Sequence, residues 1–121
     1  MILADTSIWI EHFRSREEEF DVSPLARERR LVHHPYVTGE LALGVLGGRL
    51  ESVIHDLSQL PQLPVLPTPD VLSLIRAHKL FGTGIGWVDA HLIASLRITG
   101  DKLWTRDRKL LAVATRLGVA R

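Results

Sequence analysis

Gly86-Trp87-Val88-Asp89-Ala90-His91-Leu92-Ile93-Ala94-Ser95-Leu96 opens the stretch from which the fold can be read. Leu92, Ile93 and Leu96 fall three, four and seven residues after Asp89, the spacing of one helical face, so Asp89 stands at the head of an apolar stripe. Thr99 and Gly100 break that helix, and Leu103-Trp104-Thr105 follows as a short β-type run. Asp107 comes next, with Leu110, Leu111 and Ala114 at the same three offsets. Two acids are thus set at the mouths of two helices and aimed at the buried side. That is a costly place for negative charge unless a cation sits there.

Working outward, the same geometry recurs at the start of the chain. Ile2-Leu3-Ala4 reads as a buried strand, and Ile8, Trp9 and Phe13 lie three, four and eight residues past Asp5. Thr6 or Ser7 could cap the helix that follows. Residues 31–34 form a second strand candidate, and Pro35 opens a helix that ends at Gly47-Gly48. Val37, Leu41, Gly44 and Val45 share one face of it. Glu40 is expected along that same buried face, with Gly44 leaving space one turn away.

The rest of the chain supplies scaffold. Residues 14–30 are highly charged and read as a solvated helical arm broken at Pro24. An amphipathic helix over residues 49–60 uses Leu50, Val53, Ile54, Leu57 and Leu60. Val65-Leu66 is a very short third strand, and Thr68 caps a helix carrying Val71, Leu74, Ile75 and His78. A glycine-rich loop, residues 82–86, leads to Asp89, and residues 117–121 suit a last edge strand. Strand and helix alternate throughout, which argues for an α/β fold with a parallel sheet covered on both faces. In such sheets ligands bind beyond the carboxyl ends of the strands, where Asp5, Glu40, Asp89 and Asp107 could all meet.

Composition bounds the function. The 121 residues, 45% of them hydrophobic, suit a single domain over residues 1–121 with its own core. The absence of cysteine excludes disulfides and thiolate metal sites and fits a cytoplasmic location. No apolar run approaches the roughly 20 residues that span a bilayer. The net charge of +1 hides an asymmetry. From Ala90 onward there are seven Lys or Arg (Arg97, Lys102, Arg106, Arg108, Lys109, Arg116, Arg121) against Asp101 and Asp107. Solvated helix faces explain such a bias in general, and attraction of a polyanion explains it here if Arg106, Arg108 and Lys109 contact phosphates.

A single Asp before an amphipathic helix is most often a cap. Capping accounts for Asp5, Asp89 and Asp107 one at a time, but not for Glu40 inside its helix. Four gathered carboxylates suit Mg²⁺ or Mn²⁺, hard ions that bind a few oxygens and activate water at phosphoryl groups. An aspartyl-nucleophile phosphatase would want a second Asp where Ser7 stands, a receiver domain an acid where Leu66-Pro67 stands, and a phosphate loop a Lys after the glycines. All three fit worse. His91 points away from Asp89, His33-His34 face opposite sides of a strand, and His12 and His78 read as packing or surface residues.

Asp5-Thr6-Ser7 after the first strand, Glu40-Leu-Ala-Leu-Gly44, Asp89 heading a Leu-Ile-Ala helix and Thr105-Arg-Asp107 together resemble the PIN-domain ribonucleases. At this length the likeness is to the VapC toxins of toxin–antitoxin pairs, and it runs from Leu3 to Leu111. The resemblance implies a three-layer α/β/α sandwich with a central parallel sheet of four to five strands. It also implies Mg²⁺ or Mn²⁺ held most directly by Asp5 and Asp89, with Glu40 and Asp107 supporting and the Thr6 and Thr105 hydroxyls orienting acids or water. The reaction would be hydrolysis of single-stranded RNA leaving a 5′ phosphate, by a homodimer inhibited by a small antitoxin. A catalytically idle PIN-fold module that binds RNA or protein, or a non-toxin PIN nuclease of RNA processing, is the alternative.

Overall fold

In the computed structural model, which describes residues 1–14, 18–44 and 46–121, the chain centre is its first strand. β1 (Ile2–Ala4) lies between β2 (Leu31–Val32) and β3 (Lys102–Trp104), all parallel. Ile2 pairs with Leu31 and Lys102, and Ala4 pairs with Trp104. All three residues of β1 are buried, as expected of a strand covered on both faces. Its side chains pack with Ile8, Val37, Leu92, Ile93, Leu96 and Leu110 in one continuous core.

Seven α-helices complete the described residues: α1 (Thr6–Arg14), α2 (Ser23–Arg27), α3 (Pro35–Leu43), α4 (Leu50–Ser58), α5 (Thr68–Ala77), α6 (Trp87–Thr99) and α7 (Arg108–Arg116). α1 packs on β1 and α3, and α3 packs on α4; α6 packs on β3 and α5. The result is the expected three-layer α/β/α arrangement. α6 ends as its sequence demands: Gly100, at φ 80°, takes the left-handed cap conformation and its N–H bonds to the Leu96 carbonyl.

The sheet is smaller than the four to five strands expected. Three strands are flanked by single bridges, His33 with Gln62 on one edge and Leu103 with Ala120 on the other. The outer row at Gln62 stops after one exchange, His33 N–H to the Pro61 carbonyl and Leu63 N–H to the His33 carbonyl. Pro61 and Pro64 on either side have no N–H with which to continue a ladder. Val65-Leu66 accordingly forms no strand. The charged arm is broken at Pro24 as expected, with that proline in the first turn of α2, but it is not wholly solvated, since Val22 and Leu25 are buried. Residues 15–17, like Val45 of the expected α3 face, lie outside the described residues; a 3₁₀ turn at Glu18–Phe20 and the five-residue α2 make up the rest. Among the described residues no helix is long and apolar enough to cross a membrane.

Candidate active site

Asp5 and Thr105 leave neighbouring strands side by side, because Ala4 pairs with Trp104 and the Asp5 N–H donates to the Trp104 carbonyl at 3.0 Å. The Asp5 side chain is 5% exposed. Its Oδ1 accepts from the Ser7 hydroxyl at 2.5 Å and from the Ile8 N–H at 3.2 Å, and its Oδ2 accepts from the Thr105 hydroxyl. Each hydroxyl is itself held from behind. Ser7 Oγ accepts the Arg106 N–H at 2.9 Å, and Thr105 Oγ1 accepts the Asp107 N–H at 3.0 Å. Two parallel relays therefore orient one carboxylate. Burial pushes the Asp5 carboxyl above its ordinary value, and the hydroxyls and N–H groups draw it back part of the way.

Asp89 is the third residue of α6. Its Oδ2 accepts the Gly86 N–H at 3.1 Å, closing the first turn. Burial raises its pKa, the Gly86 bond opposes the rise, and the negative charges of Asp107 and Asp5 add to it. Three of the four acids named from the sequence therefore lie close enough to repel. Asp107 is the exposed N-cap of α7, its Oδ1 accepting the N–H groups of Lys109 at 2.9 Å and Leu110 at 3.0 Å. Capping and proximity to Asp89 are compatible, since Oδ2 has no such bond.

Glu40 departs from expectation. It is exposed instead of facing the core, and its Oε1 accepts the Thr6 hydroxyl at 2.6 Å. The buried stripe of α3 is Val37 and Leu41, and Glu40, one residue before Leu41, is turned about 100° from it. Thr6 thus neither caps α1 nor touches Asp5; it ties α3 to the residue beside Asp5. Ser7, read from the sequence only as a possible cap, does the orienting instead. The signal that could have found it is a hydroxyl two residues after an acid at a helix start, in reach of that acid's own carboxylate.

The donor chemistry fits a hard divalent cation: Asp5 and Asp89 are desolvated, the charges of Asp107 and Asp5 repel Asp89, and no sulfur or histidine is among them. The convergence is looser than a closed metal cage. Among the described residues no three His, Cys, Asp or Glu side chains stand together as a ready ligand set. That geometry suits an ion that keeps several waters and takes only one or two carboxylates directly.

Arg106 is occupied. Its Nη1 lies 2.5 Å from Glu11 Oε1, which also takes Arg14 Nη2 at 2.9 Å, and its guanidinium covers the Phe20 ring at 4.8 Å. It clamps the Thr105–Asp107 segment to α1, so its guanidinium is a fastening and only Arg108 and Lys109 keep the phosphate-contacting expectation. Three of the histidines are buried: His33, His34 and His91 are at most 2% exposed. His33 Nε2 meets Thr38 Oγ1 at 2.7 Å, and His34 Nδ1 accepts the Tyr36 N–H at 3.0 Å as the cap of α3.

The PIN domain family profile matches residues 2–116, and this chain belongs to the PIN domain family. At 41% identity over 121 residues, covering 99% of this chain and 95% of the relative, it is similar to Ribonuclease VapC32 of Mycobacterium tuberculosis, in strains CDC 1551 and H37Rv alike. The resemblance carried by the four acid motifs is thereby shown. Among solved structures it is similar to FitAcB from Neisseria gonorrhoeae, with 25% identity, a TM-score of 0.65 and coverage of 99% of this chain and 95% of that one. PAE2754 from Pyrobaculum aerophilum shares the fold at 18% identity, with a TM-score of 0.64 and coverage of 97% and 94%.

Proposed function

We propose that this chain, a single PIN-like domain over residues 1–121, is a metal-dependent endoribonuclease that cleaves single-stranded RNA and serves as the toxin of a toxin–antitoxin pair. The observation that carries the reading is the pairing of Asp5 and Asp89: both are raised by burial, with Asp107 beside Asp89, at the carboxyl edge of a parallel sheet. The similarity to a VapC ribonuclease supports the substrate class.

Asp5 and Asp89 would hold Mg²⁺ or Mn²⁺, with Glu40 and Asp107 bonded through waters. When bound, such an ion polarises a phosphoryl oxygen and eases deprotonation of water. Ser7 and Thr105 keep Asp5 in one rotamer facing the edge. Glu40, exposed and held by Thr6 through Oε1, would accept a proton from the attacking water. Attack of the water on the scissile phosphorus would form one P–O bond and break the P–O3′ bond, leaving a 5′ phosphate on one product and a 3′ hydroxyl, protonated from solvent, on the other. A small antitoxin as inhibitor, a homodimer as the working form and a cytoplasmic location complete the reading.

Purified protein should cleave single-stranded RNA only with Mg²⁺ or Mn²⁺ present, and Asp5→Asn and Asp89→Asn should each abolish cleavage while far-ultraviolet circular dichroism stays unchanged. Cleavage in EDTA, or by both variants, overturns the assignment. RNA binding with no cleavage under any metal would favour the idle module, a reading favoured by the capping duty of Asp107.

A further inference from the structure

Between the loop of residues 82–86 and α7, the helix that Asp107 caps, lies a hollow of about 400 Å³. It is lined by Arg108, Lys109 and Arg116 together with Ala112, Val113 and Thr83. The four α7 positions 108, 109, 112 and 116, with 113, follow one helical face. No acid lines it, and neither Arg108 nor Lys109 has an ion-pair partner among the described residues. The nearest carboxylate in sequence, Asp107, is turned to the N–H groups of Lys109 and Leu110. Arg116 gives Nη2 to the His78 carbonyl at 3.1 Å and keeps its other donors. Thr83 donates to the Leu80 carbonyl at 2.5 Å and so contributes shape, not a donor.

The position of Lys109 is built in. Its side chain lies across Gly84, where a Cβ would come within 2.6 Å of Lys109 Cδ, and Gly84 holds φ at +84°. The same loop ends at Gly86, whose N–H bonds to Asp89. One short segment therefore joins the hollow to the acids. From Arg108 to Arg116 the cations extend over about 12 Å of helix, more than one isolated phosphate covers.

Resting on the ribonuclease reading above, we infer that this hollow is a backbone subsite: it takes the phosphates of the RNA strand that flank the scissile bond, with Arg108, Lys109 and Arg116 as their counter-charges. Unneutralised cations in a concavity raise the local concentration of a polyanion. Such contacts carry affinity without base sequence.

The test is binding of a fluorescein-labelled single-stranded RNA dodecamer in EDTA, where no cleavage occurs, over about 50 to 200 mM KCl. Arg108→Gln should flatten the plot of log Kd against log salt by about 0.7, and Arg108→Gln with Arg116→Gln by about 1.4, one contact each. Arg27→Gln on α2 removes the same charge away from the hollow and should leave the slope as it was. Arg108 holds no element in place, so its variant keeps the test valid if the Arg116 variant misfolds. Equal slopes in Arg108→Gln and wild type overturn the subsite, as does equal flattening by Arg27→Gln, which would make the effect one of net charge. A hollow serving an acidic protein segment would also give equal slopes. Cleavage by wild type with unaltered slopes sinks the subsite alone; flattened slopes with no cleavage under any divalent ion sink the ribonuclease reading alone.

Discussion

The two sides of the acidic edge are built differently. On the β1–β3 side Asp5 is buried and receives two hydroxyls, each backed by a peptide N–H from the segment after β3. On the α3 side Glu40 is exposed and has a single bond, to Thr6. The strand side is a fixed fitting and the helix side an adjustable one. A group that anchors an ion gains from rigidity, while one that trades protons with water needs solvent access, so the contrast agrees with the two roles proposed for Asp5 and Glu40.

Changing one side at a time tests that contrast. The largest effect is expected at Asp5: Asp5→Asn should reduce RNA cleavage to background and yet leave the melting temperature unchanged or higher, since a neutral amide removes a desolvated charge. Calorimetry beside a cleavage assay checks both halves, and a lower melting temperature would show that the carboxylate holds the fold. Ser7→Ala comes next. Losing a bond to a charged group costs about 1.5–3 kcal/mol, so the rate should fall about ten- to a hundredfold, with some loss of stability because the Arg106 N–H loses its acceptor. Thr6→Val on the exposed side should cost a few-fold at most, about 1 kcal/mol or less. If Thr6→Val proves as damaging as Ser7→Ala, the two sides are equally rigid and the division fails.

The smallest effect on activity, and a separate effect on stability, concerns the histidines beneath α3. Burial holds His33 and His34 at about 4, with the charge of His34 adding to the fall at His33 and that of His91 at His34. Above pH 6.5 they are neutral folded or unfolded and contribute nothing to pH dependence. Between 6.5 and about 4 the unfolded chain takes up protons that the folded one refuses, so stability falls as pH falls, until the folded form protonates near 4. His34→Asn retains a good cap for α3 and should make the decline of melting temperature between pH 7 and 4.5 shallower. An unchanged decline would mean that other groups set the acid limit.

How much of this could be read from the sequence depended on whether a residue's role follows from local spacing. Asp5, Asp89 and Asp107 were legible because an acid at the head of an amphipathic helix shows in one turn of sequence, and the α/β/α layering because strand and helix patterns alternate. Glu40 was placed on the wrong face since Gly44 and Leu41 suggested a broad apolar stripe where only Val37 and Leu41 are buried among the described residues of α3. Leu111 misled in the same way: it is 43% exposed, and the buried face of α7 runs through Leu110, Val113 and Ala114. Ser7 was read only as a cap because, although its bond to Asp5 spans two residues, the Arg106 N–H that holds it from behind lies 99 residues away. The basic excess after Ala90 was also misjudged in part. Arg97 and Lys102 bond to the carbonyls of Leu117 and Gly118, and Arg121 covers Trp104, so several cations fasten the terminal turn.

Thr105 and Asp5 meet across 100 residues of chain, and β1 has β3 as one of its two neighbours. A polypeptide leaving the ribosome thus exposes its first strand long before the segment that completes the acidic edge exists, and that late pairing also makes for slow folding. Until the segment through Thr105 has emerged the acidic edge is incomplete, so a nascent chain gains the proposed activity only near the end of its synthesis. A premature stop anywhere before Thr105 should yield a protein that cleaves no RNA, however well its first half folds.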